Sequence, residues 1–154
     1  MLEDNLRVLV VEARHHGDIA DELLAGAVDA LSAFGAEYDV ISVPGAFELP
    51  AAVSLAYEGA HRPAGIRYDG YVALGCVIRG ETTHYDYVCG ESARGLMELS
   101  IGKHLPIGYG VLTVEDEEQA WARAKRSEGD RGGLAARTCL DMIVLKRRLF
   151  GQIR

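Results

Sequence analysis

The sequence predicts an α/β fold: a three-layer sandwich whose four-stranded parallel sheet is flanked by helices on both faces. Three observations carry the prediction. Largely apolar runs of strand length occur at 6–11, 38–43, 71–78 and 107–113, and the third is continuous, as in a strand buried on both faces. Between them, apolar residues recur at helical spacing. Strands alternating with amphipathic helices build a parallel sheet with helices on either side. The 154 residues suit a single domain, 1–154, with no repeat, linker or low-complexity stretch.

The first strand, 6–11, is followed by a loop at 12–17 and a helix. Asp18 is the expected N-cap, with Asp21 at the third helical position. Ile19, Leu23, Ala27, Ala30 and Phe34 form its inner face, and Gly35 ends it. After the second strand, Pro44 and Gly45 turn the chain into a small-residue helix over 47–57, stopped at Gly59. A polar loop follows at 61–68.

The third strand ends at Ile78, and a helix begins near Tyr85 with Val88, Leu96 and Leu99 on one face. Ser92 and Gly95 let that helix approach a neighbour closely. Gly108 and Gly110 in the fourth strand mark the close approach of another backbone or a ligand. Asp116 and Gln119 make a capping-box pattern for a short helix through Lys125. Residues 127–133 read as a loop, and the last helix runs from Leu134 to about Phe150 with Ala136, Leu140, Ile143 and Val144 inward. The resulting order is βαβαβαβαα.

Composition narrows the function. An apolar fraction of 49% with 25% charged residues is that of a globular domain. A formal net charge of -7 argues against a nucleic-acid surface but leaves room for a small phosphate ligand, which needs one or two cations. Cys76, Cys89 and Cys139 are widely spaced, which disfavours a disulfide framework or a zinc site and suits a reducing cytoplasm. The acidic start of the chain lacks the pattern of a signal peptide, and no apolar run is long enough for a membrane span.

In a parallel sheet, ligands bind beyond the carboxyl ends of the strands. Four loops meet there: Arg14-His15-His16, then 43–48, then 76–84, then 113–116. The third combines a glycine-containing turn into a helix, a natural anion cradle, with His84, which can move protons near neutral pH. Each feature alone has a plainer reading as a turn, a solvated histidine or a surface charge. Neither GxxxxGK[ST] nor GxGxxG is present.

Four blocks in order, VPGAFELP at 43–50, LGCVIRGETTHYDYV at 74–88, GVLT at 110–113 and EQAWARA at 118–124, resemble the 6,7-dimethyl-8-ribityllumazine synthase family. The resemblance implies a flavodoxin-like scaffold and a transferase-type enzyme of riboflavin biosynthesis. It implies condensation of 5-amino-6-(D-ribitylamino)uracil with 3,4-dihydroxy-2-butanone 4-phosphate, with loss of phosphate and water and without cofactor or metal. Position by position, it implies that His84 is the acid–base group. Glu81 and Thr82 would supply backbone N–H groups to the phosphate, and Arg123 and Arg131 its cations. Ala46, Phe47 and Glu48 would hold the ribityl chain, with Cys76, Val77, Ile78 and Tyr109 around the pyrimidine.

His15 stands where the family usually stacks an aromatic ring, Arg131 where a lysine is common, and Cys76 where threonine is frequent. The Cys76 thiol is expected to stay unmodified. The resemblance further implies a homopentamer with the site between neighbours, Tyr109, Arg123 and Arg131 reaching across. A larger shell of pentamers is the alternative, and the start of the chain almost at its first strand favours the free pentamer. The rival functions on the same scaffold are a non-catalytic flavin or lumazine carrier, a shell protein and a signalling domain.

Overall fold

In the computed structural model, which describes residues 5–152, four strands pair entirely in parallel. They are β1 (Arg7–Ala13), β2 (Glu37–Val43), β3 (Gly70–Ile78) and β4 (Ile107–Val114), in the spatial order β2-β1-β3-β4. The helices are α1 (Gly17–Phe34), α2 (Leu49–Gly59), α3 (His84–Gly102), α4 (Glu117–Ala124) and α5 (Arg131–Leu149). The acidic start of the chain, apart from Asn5, lies outside the described residues.

Alternation along the strands separates two cores. Val8, Val10, Val72, Leu74, Leu112 and Val114 face α1, α4 and α5, where Leu23, Leu31, Leu140 and Ile143 close the layer. Leu9, Val11, Tyr71, Ala73 and Val111 face α2 and α3, where Leu49, Val53, Val88 and Leu96 close the other. This is the expected three-layer sandwich. Each fully buried Leu or Val stabilises it by about 1.5–3 kcal/mol relative to exposure. β1 and β3 are buried on both faces, whereas β2 is an edge with Val40 and Ile41 exposed.

Several boundaries differ from expectation, each for a local reason. α1 opens at Gly17 with His16 at the cap position and no capping side chain, so Asp18 lies in the first turn. There it still faces the positive end of the helix dipole. Asp21 does not cap either, because its carboxylate is taken by Arg14. Phe34 is exposed and Leu31 takes its place in the core, while Val144 is only half-buried. The helix expected from Phe47 begins as a 3₁₀ turn, Ala46–Glu48, and becomes α-helical at Leu49 with Pro50 in the first turn, where a missing N–H costs nothing.

α5 starts three residues before Leu134, capped by the Asp130 carboxylate, which accepts from the Gly133 N–H. Gly132 and Gly133 therefore lie in a helix rather than a loop. At Gly132 a Cβ would stand 2.0 Å from the Leu23 carbonyl oxygen, so the glycine permits α5 to touch the α1 backbone. The same device seats α5 on the sheet, since a Cβ at Gly108 would meet the Ala135 carbonyl oxygen at 1.9 Å. Gly95 likewise lets α3 approach Pro50 of α2. Replacing Gly108 by Ala forces α5 off β4 and should destabilise the protein by about 2 kcal/mol or more, read as a lower urea midpoint.

Candidate active site

Parallel register brings the strand ends to one edge. Ala13 pairs with Val43, Glu12 with Leu74, and Ile78 with Val114. The expected site residues fall there in two groups.

The first group surrounds the ends of β1, β2 and β3. Glu12 is only 2% exposed, and Arg14 satisfies its carboxylate while also donating to the Gly17 carbonyl at 3.2 Å and to Asp21. Leaving such a buried carboxylate unpaired costs about 3–5 kcal/mol, so this contact pins the loop that presents His15 and His16. Their rings meet edge to face with centroids 4.8 Å apart, His15 exposed and His16 half-buried. Ala46 is buried beside the backbone of Gly75, whereas Phe47 is 57% exposed and Glu48 half-buried. Cys76 is buried, and Val77 and Ile78 are half-buried.

Residues 80–84 then emerge exposed. The backbone N–H groups of Gly80, Glu81, Thr82 and Thr83 have no partner among the described residues, and that of His84 donates to Thr82 Oγ1 at 3.3 Å. The turn is therefore a row of uncommitted donors at the start of a 19-residue helix, the arrangement that suits an anion. His84 stands at its first position with its side chain in solvent. Arg79, just before the turn, is paired with carboxylates on both sides. Its Nε donates to both carboxylate oxygens of Glu115 at 3.1 and 2.8 Å, Nη1 lies 3.6 Å from Asp86, and the guanidinium sits 4.2 Å over the Tyr85 ring.

The second group lines an open recess of about 250 Å³ along β4, formed by Tyr109, Gly110, Val111, Leu112, Thr113, Arg123 and Arg131. Arg123 donates to the Gln119 carbonyl at 3.1 Å, and no carboxylate pairs with Arg123 or Arg131 among the described residues. Capping places both side chains. Asp116 accepts from the Gln119 N–H to start α4, and Asp130 starts α5. None of the first group lines this recess. Within one chain, neither the donor turn nor His84 lines the recess that holds the two arginines.

Burial, then the neighbouring His15, lowers the His16 pKa, against a smaller opposing pull from Glu117. Burial pushes the Cys76 thiol up to about 11, Glu117 adding to the effect. Burial likewise raises the Tyr109 phenol, opposed by its hydrogen bond with Ser92. Glu117 thus faces two site residues, although nothing in its local sequence marks it out. Among the described residues, no three of His, Cys, Asp and Glu gather closely enough to hold a metal ion.

Residues 5–147, which include every candidate site residue, match the 6,7-dimethyl-8-ribityllumazine synthase family. The chain belongs to that family. It is 58% identical over 144 residues to 6,7-dimethyl-8-ribityllumazine synthase 1 of Rhizobium meliloti, covering 94% of each chain. It is 58% identical to the 6,7-dimethyl-8-ribityllumazine synthase of Agrobacterium fabrum, over 94% of this chain and 97% of that one. Identity reaches 60% over 141 residues with the Methylorubrum populi enzyme, over 92% and 83% of the two chains. Lumazine synthases thus share this chain from β1 to α5.

Two titration results are expected. His16 prefers its neutral form when folded, so below its ordinary pKa of 6.5 the unfolded chain takes up the proton first and stability falls with falling pH. Urea midpoints should decline between about pH 7 and pH 5.5, and less steeply in His16→Asn. Cys76 should resist alkylation by iodoacetamide at pH 8 in the native protein and react on unfolding, as mass spectrometry of the labelled peptide would show.

Proposed function

We propose that the chain condenses 5-amino-6-(D-ribitylamino)uracil with 3,4-dihydroxy-2-butanone 4-phosphate, giving 6,7-dimethyl-8-ribityllumazine with release of phosphate and water. The reaction takes place in a pocket closed between two copies, the strand-end loops of one meeting the β4 recess of the next. The observation that carries this reading is that the N–H donors at 80–83 do not line the recess that holds Arg123 and Arg131, although neither set has an anionic partner among the described residues. A phosphate that leaves during the reaction is best stabilised by both sets, and a second copy can bring them together.

In this pocket the Glu81 and Thr82 amides, with Arg123 and Arg131, hold the phosphate. His15 lies against the pyrimidine, with Cys76, Val77, Ile78 and the Tyr109 ring of the neighbour. Ala46, Phe47 and Glu48 hold the ribityl chain. The substrate amine attacks the ketone, and His84 carries protons as water leaves to form the imine and as phosphate is eliminated. The ribitylamino nitrogen then closes the ring onto the carbonyl left after phosphate loss, and that oxygen departs as a second water. Holding both substrates in register offsets roughly 7–11 kcal/mol of barrier, more than His84 contributes by proton transfer.

A heterologous contact of this kind closes into a ring, and a homopentamer is the assembly we assign, with a shell of pentamers as its possible extension. Tyr87, Met97 and Ile101 on α3 are 68%, 58% and 67% exposed, a large apolar surface for an isolated chain and suited to burial against a second copy. No helix among the described residues is long and apolar enough to cross a membrane, and the three cysteines are free. Free thiols suit the cytoplasm, where we place the reaction.

His84→Ala should lower kcat by about 10²-fold while leaving measurable turnover. Complete loss in single-turnover experiments with both substrates still bound would contradict the role given to it. Arg123→Ala should raise the KM of the phosphate substrate about 10–100-fold, the scale of one lost charged hydrogen bond, and affect the other substrate little. Unchanged affinity for the phosphate substrate would remove Arg123 from the site.

A further inference from the structure

A turn that offers its N–H groups to a ligand cannot use them to hold itself. The segment 80–83 shows this cost, since its four N–H groups are unpaired and the α3 cap residue Thr83 makes no capping side-chain bond. Apart from the Thr82 hydroxyl, which accepts from the His84 N–H at 3.3 Å, what fixes the turn must lie at its flanks. Arg79 is the side chain in that position. Its own backbone N–H is bonded to the Val114 carbonyl at 2.9 Å, so it is anchored on the sheet. Its guanidinium reaches Asp86 and Tyr85 in the first turn of α3 on one side and Glu115, beyond the end of β4, on the other.

We propose that Arg79 is a positioning residue, clasping the first turn of α3 to the end of β4 so that the N–H groups of 80–83 and the His84 side chain are held ready for the phosphate substrate. The inference rests on the phosphate site assigned above. Arg79 does not contact the phosphate. Its Nε is bonded to Glu115, its Nη1 is ion-paired with Asp86 and its face lies over an aromatic ring, whereas no carboxylate pairs with Arg123 or Arg131 among the described residues. Each contact is exposed and individually weak. Together they span both flanks of the turn, and a displacement of about 1 Å in a catalytic constellation costs up to about 10²-fold in rate.

Steady-state kinetics of the assembled enzyme test this with Arg79→Ala, Arg79→Lys and Glu115→Gln, each checked for an unchanged thermal midpoint. Arg79→Ala should raise the KM of the phosphate substrate about tenfold and lower kcat about fivefold, while the KM of the ribitylaminouracil stays within about twofold. Lysine keeps the charge but neither the forked donors nor the planar stacking group, so Arg79→Lys should not restore the wild-type values.

Glu115→Gln decides between positioning and direct contact, and its exposed site makes it safe for folding even where Arg79→Ala is not. Loosening the clasp should raise the KM of the phosphate substrate. A guanidinium that touched the phosphate would instead be freed and lower it. An unchanged KM in Arg79→Ala, full rescue by lysine, or a lower KM in Glu115→Gln overturns the proposal. Arg123→Ala measured in parallel separates the two layers of argument. If it too leaves the KM of the phosphate substrate unchanged, the phosphate site itself is misassigned; if it alone raises that KM, only the role of Arg79 fails.

Discussion

β3 is paired on both edges and covered on both faces, and the place where it stops decides where chemistry can occur. Residues 70–76 are buried, Val77 and Ile78 half-buried, and from Arg79 onward the chain is exposed. Across those few residues the backbone passes from a dry, fully hydrogen-bonded sheet to a turn with unpaired donors. A central strand holds that boundary rigidly because shifting it would unpair two ladders at once. The loops after β1 and β2 are set against it by register, and α3 starts from it. A phosphate site built there inherits the precision of the sheet.

The arginines near the strand ends divide by what they face. Arg14 and Arg79 are each paired with two carboxylates and hold loops in place, whereas Arg123 and Arg131 face the recess along β4 with no carboxylate partner among the described residues. A paired guanidinium offers little net charge to a ligand, and an unpaired one offers all of it. This division of labour lets a chain of net charge -7 bind a phosphorylated substrate without a basic surface.

Much of the fold was legible in the sequence because strands buried on both faces must be apolar, and helices covering them must be amphipathic. The glycines of 127–133 read as a loop, yet Gly132 and Gly133 lie inside α5, Gly132 where the Leu23 backbone leaves no room for a Cβ and Gly133 against the capping Asp130 carboxylate. Phe34 follows the helical period of α1 but, as the last residue of that helix, is 48% exposed, and Leu31 one turn earlier carries the core instead.

The candidate site was legible through long blocks such as LGCVIRGETTHYDYV, since no isolated histidine or Gly-turn could have separated it from an ordinary loop. The clasp at Arg79 was not legible, because its partner Glu115 lies 36 residues away and meets it only through strand pairing. Nor does spacing reveal Glu117 beside His16 and Cys76, which depends on how α4 folds back over the strand ends.

The central claim is that each pocket takes its donors and His84 from one copy and its unpaired arginines from another. Co-expressing His84→Ala and Arg123→Ala subunits in equal amounts and assaying the mixed oligomers with the phosphate substrate well below its wild-type KM, where both parent variants are slow, tests it directly. In a randomly mixed ring, about one pocket in four combines an intact His84 with an intact Arg123 from its neighbour, so activity should recover to about a quarter of wild type. Activity no greater than the average of the two parent variants would place the whole site within a single chain and contradict the account.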